Sequence, residues 1–181
     1  MTAEAVTLET ERLVLRMFGA ADFEAYAAIC GDPEVMRFIG DGQPLAPPMA
    51  WRSLAMVIGH WSLRGYGLWA ATERASGVLV GRVGFWNPDG WPGFELGWLL
   101  GRTYWGRGYA TEAARAALDW AFAHLGQPQV ISLIYPDNAA SIKVATRLGE
   151  RLADRIELLG KPVLRYRITR DEWHQGAAGC R

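Results

Sequence analysis

Residues 105–114, Trp-Gly-Arg-Gly-Tyr-Ala-Thr-Glu-Ala-Ala, have the types and spacing to bind a phosphate group. Gly106 and Gly108 allow backbone conformations that side chains forbid, and apolar residues at helical spacing follow at once. Backbone N–H groups at such a helix N-terminus point outward with the helix dipole behind them, which favours an anion. Arg107, between the glycines, could add a charged donor. The same spacing is also consistent with a tight strand-to-helix turn in which the glycines serve only the geometry.

The elements that must position this loop are a strand before it and a helix after it. Residues 94–100 are typical of a strand, and the helical apolar pattern runs from Ala110 to Leu125 until Gly126 and Pro128 end it. Residues 130–135 are typical of a buried strand. We therefore expect residues 94–135 to form a right-handed parallel crossover with the loop at its turn.

Three blocks of the sequence carry a resemblance to a known family. Residues 105–110 resemble the Gln/Arg-x-x-Gly-x-Gly/Ala signature of the GNAT superfamily, the GCN5-related N-acetyltransferases, with Trp105 in place of Gln or Arg. Similarity to the RimJ/RimL-like branch, the ribosomal-protein N-terminal acetyltransferases, extends over residues 104–113, 136–149 and 10–16. The resemblance covers roughly residues 8–170, and it implies that the loop holds the pyrophosphate of acetyl-coenzyme A (acetyl-CoA).

The order of elements predicts an α+β (mixed α/β) fold in a single acetyltransferase domain over residues 1–181. Strands are expected at 8–18, 67–72, 78–86, 94–100, 130–135, 156–159 and 163–168, and helices at 20–30, 49–63, 109–125 and 138–148. The resemblance implies the same order: a central mixed, mostly antiparallel sheet of about seven strands, flanked by about four helices. We expect the core to be residues 8–170 and residues 174–181 to be a disordered tail.

Composition excludes several classes of function. The chain has 19 Lys and Arg residues against 19 Asp and Glu residues, without a basic stripe, so we expect no nucleic-acid partner. No apolar run approaches the roughly 18 residues of a membrane span. The three histidines have no ligand-spaced partners, which argues against a metal. Cys30 and Cys180 fit no disulfide framework, which suits a reducing compartment, and we expect a soluble, cytoplasmic protein.

Glu95 is the candidate general base for acetylation of an amine, a reaction that requires a neutral nucleophile. Strand alternation places Glu95 and Gly97 on the face opposite Trp98, so the carboxylate would point into a groove that Gly97 leaves open. The resemblance implies the same role, because a glutamate at the matching place serves as the base in some family members. The structural alternative is a solvated charge or an ion-pair partner.

Ser141 is the candidate acid that protonates the leaving thiolate. It lies three residues after Asn138, on the first turn of a predicted helix. The resemblance implies that family members with Asn-x-x-Ser use this serine and that Asn138 binds the pantetheine arm. The tyrosine that other members use is absent, because Ala145 stands at its position. Alternatively, Asn138 simply caps the helix.

The resemblance also implies a set of cofactor-binding residues. The strand before the loop should pair with the pantetheine amides through its backbone, and the loop and first helical turn should hold the pyrophosphate. The expected set is Trp98, Leu99, Leu100, Trp105, Gly106, Arg107, Gly108, Tyr109, Ala110, Thr111, Asn138 and Ser141.

Three functions from different classes remain open at this point. The first is an N-acetyltransferase that moves the acetyl group of acetyl-CoA to a primary amine by direct attack in a ternary complex. Its acceptor is a protein N-terminal α-amino group or a small molecule such as an amino acid, polyamine or antibiotic. The second is a non-catalytic acyl-CoA-binding sensor, and the third is an interaction protein that uses an exposed aromatic loop at Trp91. The expected partners are acetyl-CoA and the acceptor, and a homodimer is left open.

Overall fold

The structure, a computed structural model, describes residues 6–178. The strands are β1 (Leu8–Glu9), β2 (Leu13–Arg16), β3 (Leu68–Glu73), β4 (Leu79–Trp86), β5 (Glu95–Leu100), β6 (Gln129–Ile134), β7 (Arg151–Leu158) and β8 (Lys161–Thr169). The α-helices are α1 (Phe23–Cys30), α2 (Pro33–Met36), α3 (Pro47–Arg64), α4 (Tyr109–His124), α5 (Ala139–Leu148) and α6 (Arg170–Ala178).

All eight strands form one sheet in the order β1-β2-β3-β4-β5-β6-β8-β7. Neighbouring strands are antiparallel except β5 and β6, which are parallel and pair only at Glu95 and Ile131. The connection from β5 to β6 runs through α4, as expected for a parallel crossover. The sheet therefore has a single parallel junction, and this junction is almost unpaired.

Apolar cores cover both faces of the sheet. On one face α4 packs its Ala113, Ala117 and Leu118 against strand residues such as Val83 and Leu96. On the other face α1 and α3 cover a second core that includes Tyr26, Leu54, Val57 and Leu99. Because β5 contributes residues to both cores, packing holds it in position from both faces of the sheet. This applies even where β5 no longer pairs with β6.

The predicted fold class is confirmed, with more elements than the sequence pattern indicated. The sheet is mixed and mostly antiparallel but has eight strands, because residues 8–18 divide into β1 and β2 around a turn at residues 10–12. Residues 6–178 contain six α-helices instead of the expected four; the two additional ones are α2, a single turn, and α6 at the C-terminal end of the described residues. Strand β7 also begins five residues before the predicted 156–159 segment.

The predicted disordered tail is wrong for residues 174–178, which belong to α6. Trp173 anchors this helix: its side chain is buried, and its indole N–H donates to Asp119 of α4 at 2.8 Å. Residues 179–181 of the predicted tail lie outside the described residues. Within residues 6–178, no helix is long and apolar enough to span a membrane.

Candidate active site

The separation of β5 from β6 opens a cleft of about 490 Å³ beside the N-terminus of α4. Its walls are the end of β5, the loop after it, the first turns of α4 and α5, and the segment around α2. Of the predicted cofactor-binding residues, those that line the cleft are Trp98, Leu99, Leu100, Trp105, Gly106, Gly108, Tyr109, Ala110, Thr111, Asn138 and Ser141. Two predicted site residues, Arg107 and Glu95, do not line it.

The loop at residues 105–108 presents backbone donors to the cleft. Gly106 and Gly108 have φ angles of 75° and 81°, in the left-handed region that favours glycine. The first helical bond of α4 is donated by the Glu112 N–H to the Gly108 carbonyl. The N–H groups of Tyr109, Ala110 and Thr111 therefore precede the helical ladder, and together with the helix dipole they form a site suited to an anion.

Arg12 supports this loop from behind. Its Nη1 donates to the Arg107 carbonyl at 2.8 Å, and its Nε donates to Glu112 Oε2 at 2.7 Å. Glu112 also accepts from the Thr10 hydroxyl at 2.6 Å and from the Arg12 backbone N–H at 2.9 Å. The turn between β1 and β2 thus fastens both the loop and the first turn of α4.

Trp105, at the first position of the loop signature, is tied to the strand. Its indole N–H donates to the Leu100 carbonyl at 2.8 Å. The carbonyls of Phe94 and Leu96 face β6, so by strand alternation the backbones of Trp98 and Leu100 face the cleft. Because Trp105 already occupies the Leu100 carbonyl, Trp98 offers the more accessible backbone groups to a ligand.

Ser141 faces the cleft, and one neighbour bonds its backbone while another bonds its hydroxyl. Asn138 caps α5, since its Oδ1 accepts from the Ser141 backbone N–H at 3.1 Å, and this leaves the amide N–H groups of Asn138 available to a ligand. The Trp98 indole N–H donates to Ser141 Oγ at 3.1 Å. An indole can only donate, so Ser141 must accept in this bond and keeps its own proton free to donate elsewhere.

Glu95 lies where β5 and β6 begin to separate, half-buried and beside open space. The Trp91 indole N–H donates to Glu95 Oε2 at 2.6 Å, and a Cβ at Gly97 would meet no atom of the described residues within 4 Å. Burial raises the pKa of Glu95 to about 7, and the hydrogen bond from Trp91 opposes this shift without cancelling it. Near neutral pH this carboxyl can therefore either accept or release a proton.

Arg107 is not brought to the cleft. Its guanidinium lies 3.9 Å from Glu73 and stacks against the Tyr104 ring. Glu73 also accepts a hydrogen bond from the Tyr109 hydroxyl at 2.7 Å. The side chain of Arg107 is thus directed towards β3. Its contribution to the loop is the backbone carbonyl that accepts the hydrogen bond from Arg12.

Sequence reasoning missed several residues that shape the site. Trp91 is half-buried against Glu95 rather than exposed, and Trp98 contacts Ser141 across 43 positions of sequence. Phe38 and Ile39, after α2, also line the cleft, together with Arg37. The Asn-x-x-Ser spacing pointed to Ser141, but no local pattern could have indicated its indole partner. In residues 6–178 no cluster of three or more His, Cys, Asp or Glu side chains could hold a metal ion.

Comparisons with known proteins identify the family of this chain. Residues 12–151 match the acetyltransferase (GNAT) domain family. An acetyltransferase of known structure from Agrobacterium tumefaciens is 35% identical, with a TM-score of 0.81 over 93% of this chain and 96% of its own. The N-acetyltransferase p20 of Bacillus licheniformis is 31% identical over 79% of this chain and 81% of its own.

Two further proteins are similar to this chain to different degrees. The FsC-acetyl coenzyme A-N(2)-transacetylase of Aspergillus fumigatus is 30% identical over 92% of this chain and 77% of its own. A ribosomal-protein-S5-alanine acetyltransferase from Vibrio fischeri has a TM-score of 0.73 over 93% of this chain and 98% of its own, but at 17% identity it shares only the fold. The family match extends over most of the chain, and it includes the loop, Glu95 and Ser141. The chain belongs to the GNAT family and is an acetyl-CoA-dependent N-acetyltransferase.

Proposed function

We propose that the cleft binds acetyl-CoA and that its acetyl group passes directly to the α-amino group of an acceptor in a ternary complex. The observation that carries this proposal is the cleft itself. At one end are the unpaired N–H groups of the α4 N-terminus, and on its wall is a serine whose proton is free to donate. Glu95 stands at the opening between β5 and β6.

The loop and the strand hold the cofactor. The N–H groups of Tyr109, Ala110 and Thr111 bind the pyrophosphate, because they have no acceptor within the helix. The backbone of Trp98 and the Asn138 amide hold the pantetheine arm, which needs both donors and acceptors for its two amide groups. This arrangement places the thioester near Ser141, between β5 and α5.

Glu95 removes the proton from the amine. The acceptor approaches over Gly97, where the structure has open space, and the proton passes to the Glu95 carboxylate directly or through one water. The amine then attacks the thioester carbonyl, and the tetrahedral intermediate expels the thiolate of CoA. Ser141 donates its proton to that sulfur, since Trp98 leaves the serine proton free. The attacking nitrogen then loses its second proton to the Ser141 oxygen, directly or through water, so that the amide product and the serine hydroxyl are both neutral.

The pKa of Glu95 favours an α-amino acceptor. Its value of about 7 lies within about one unit of an α-amine, near 7.7–8.0, but more than three units below a lysine, near 10.4. Proton transfer to Glu95 is therefore roughly 3 kcal/mol easier from an α-amine. The name of the Aspergillus relative, which specifies an N(2) nitrogen, supports the same position. The resemblance to the RimJ/RimL-like branch supports a protein N-terminus as that α-amine.

An acceptor screen tests this function. Protein and acetyl-CoA are mixed with peptides that have a free N-terminus, the same peptides with a blocked N-terminus and an internal lysine, amino acids, and polyamines, and released CoA is measured with a thiol reagent. We expect turnover only with a free α-amine. Turnover of the blocked, lysine-containing peptides or of polyamines would overturn the α-amine assignment. Tight binding of acetyl-CoA without CoA release from any acceptor would indicate a sensor.

Substitution of Gly108 by valine tests the cofactor loop. A β-branched side chain cannot readily adopt a φ of 81°, and a Cβ at this position lies 3.4 Å from the Arg12 guanidinium. We expect at least a tenfold loss of acetyl-CoA affinity by calorimetry, about 1.4 kcal/mol or more. Unchanged binding in a folded Gly108→Val protein would mean that the pyrophosphate lies elsewhere.

A further inference from the structure

A buried polar cluster lies at the point where β5 and β6 separate, outside the set of residues used above. It consists of Ser132 on β6, Glu150 directly after α5, and the carbonyl of Leu96 on β5. Ser132 and Glu150 are 1% and 4% exposed. A glutamate this deeply buried needs a physical reason, because the cost of burying its charge is several kcal/mol unless it is paired or neutral.

The Ser132 side chain continues the pairing of the two strands beyond their backbone ladder. The Ile131 N–H donates to the Phe94 carbonyl at 3.0 Å, as in an ordinary parallel ladder. One residue later the strands have begun to diverge, and the Ser132 hydroxyl donates to the Leu96 carbonyl at 2.9 Å. A side chain thus provides the cross-strand bond that closes the inner end of the cleft.

The number of protons available in this cluster decides which group donates each hydrogen bond. Ser132 Oγ lies 2.9 Å from the Leu96 carbonyl and 3.0 Å from Glu150 Oε1, but a hydroxyl has only one proton. If that proton goes to Leu96, the bond to Glu150 needs a proton from Glu150 itself. The second oxygen of Glu150 is buried without a hydrogen-bond partner in the described part of the chain, which a neutral carboxyl tolerates far better than a carboxylate.

The surroundings of Glu150 point the same way. Burial raises its pKa to about 8, and the nearby Glu95 carboxylate acts in the same direction. Among residues 6–178, the groups that act on Glu150 are one hydroxyl and one like charge, and no cation stabilises an ionised form.

We propose that Glu150 is a neutral hydrogen-bond donor that holds Ser132 on the Leu96 carbonyl and thereby sets where β5 leaves β6. Leu96 lies two residues before Trp98, whose backbone and indole both face the cleft. Glu150 is therefore a positioning residue for acetyl-CoA binding. This role rests on the proposed function, because it assumes that acetyl-CoA occupies the cleft.

Three variants distinguish the effect of Glu150 as a hydrogen-bond donor from the effect of its charge. Glu150→Gln keeps a donor of the same shape but cannot ionise, Glu150→Met removes the donor at similar volume, and Ser132→Ala removes the intermediate hydroxyl. Glu157→Gln, at an exposed position of β7, is the matched control. Acetyl-CoA affinity is measured by calorimetry and thermal unfolding is followed by circular dichroism, both on the full chain.

We expect Glu150→Gln and Glu157→Gln to bind acetyl-CoA within about twofold of the unmodified protein. Glu150→Met and Ser132→Ala should each weaken binding roughly fivefold, the effect of one hydrogen bond. The double variant should be no weaker than the single ones, because both changes break the same chain of bonds. Equal weakening by Gln and Met would overturn the proposal, as would unchanged binding in both Met and Ala variants.

Thermal stability against pH tests the protonation of Glu150 without acetyl-CoA. The pKa of Glu150 is raised from its ordinary 4.5 to about 8, so its contribution to stability is complete below pH 4.5 and is lost as pH rises towards 8. The Tm of Glu150→Gln minus that of the unmodified protein should therefore grow from pH 4.5 to 8 and then level off. A constant difference would show an ionised Glu150 and overturn the proposal. If the unmodified protein does not bind acetyl-CoA, the proposed function fails, while this pH readout still reports on Glu150.

Discussion

At the scale of single residues, the direction of hydrogen bonds decides what each side chain of the cleft can do. The Trp98 indole can only donate, so Ser141 accepts from it and keeps one proton for another partner. Trp91 likewise donates to Glu95 and stabilises its carboxylate, whereas burial favours the protonated form. Two tryptophans thus set the proton state of the two residues that the proposed reaction needs.

Replacement of Trp98 by phenylalanine tests the orientation of Ser141. Phenylalanine keeps the aromatic surface in the cleft but removes the donor, so the Ser141 hydroxyl is free to rotate away from the thiolate. We expect kcat to fall by about tenfold or more below pH 8.5, near the pKa of a thiol, and less above it, because a thiolate then departs without a proton. A pH–rate profile of Trp98→Phe, Ser141→Ala and the double variant measures this.

The double variant is the internal control for Trp98. If Trp98 acts through Ser141, Trp98→Phe should add little to Ser141→Ala, because both changes remove the same proton donation. Additive losses would show that the indole acts on the cofactor by itself. Equal losses at every pH would argue against any role in proton transfer.

The raised pKa of Glu95 predicts a window of pH in which it matters. Its carboxylate is the active form, and with a pKa of about 7 it is mostly protonated at lower pH. Above the pKa of the acceptor, about 7.7–8.0 for an α-amine, the amine loses its proton unaided. Glu95→Gln should therefore lower kcat/KM most between pH 7 and 8, by about 10²-fold, with smaller effects on either side.

The measurement is kcat/KM against pH for the unmodified protein and Glu95→Gln, with acetyl-CoA affinity followed in parallel. Binding should be similar in both proteins, because Glu95 does not line the cofactor cleft. Parallel profiles at every pH would make Glu95 a structural residue. An ordered water or the ionisation of the acceptor itself would then supply the neutral amine.

At the scale of elements, the turn between β1 and β2 controls the shape of the cofactor loop. Arg12 bonds the Arg107 carbonyl and Glu112 without lining the cleft. Glu112 lies in the first turn of α4, where its charge also favours the helix dipole. The N-terminal strands are therefore part of the binding site through the loop that they support.

Replacement of Arg12 by alanine should weaken acetyl-CoA binding through the loop alone. It removes two side-chain hydrogen bonds behind the glycines, and the loop then samples conformations that direct its N–H groups away from the cleft. We expect a roughly tenfold increase in the acetyl-CoA dissociation constant by calorimetry. Arg165→Ala, which removes an arginine–carboxylate pair between β8 and β7, should leave binding unchanged. A similar loss of acetyl-CoA affinity in both variants would show that removal of any positive charge weakens binding. It would contradict support of the loop by Arg12.

Local sequence patterns predicted those elements whose own residues stabilise them. The apolar spacing and the terminal glycine gave α4 and α5 to within one or two residues, and alternation gave β4 and β5. The residues of the loop and Ser141 were predicted because their spacing is local. Strand β1 could not be predicted, since two residues form a strand only by pairing with β2. Helix α6 is polar in sequence and owes its position to Trp173, which packs against α4.

The remaining site contacts join residues far apart in sequence. Arg12 meets Glu112 across 100 positions, and Ser132 meets Leu96 across 36. No window of sequence contains both partners of such a pair, so their chemistry becomes visible only when the sheet is assembled. The same holds for Arg107, whose local position suggested a phosphate ligand but whose side chain turns to Glu73 on β3.

At the scale of the whole molecule, His60 links α3 to the end of β4. It is buried, and its ring stacks on Trp86 at 4.6 Å. The Asn87 N–H donates to its Nε2 at 3.2 Å, so Nε2 carries no proton, and Nδ1 donates to the Tyr66 carbonyl at 2.9 Å. The fold therefore requires the neutral imidazole, and burial lowers its pKa below the ordinary value of 6.5.

Replacement of His60 by phenylalanine should change stability in a pH-dependent way. At pH 8 the variant should be less stable by about 1–3 kcal/mol, because the Asn87 N–H and the Tyr66 carbonyl lose their partner. As pH falls below 6.5, the unfolded chain binds a proton that the folded His60 resists, so the unmodified protein loses stability and the variant does not. The difference in Tm should narrow from pH 6.5 downwards. His60→Gln, which offers a donor and an acceptor but does not titrate, should show the same narrowing from a smaller difference at pH 8. A difference that stays constant between pH 8 and 5 in both variants would show that His60 takes up its proton equally well in the folded and unfolded protein.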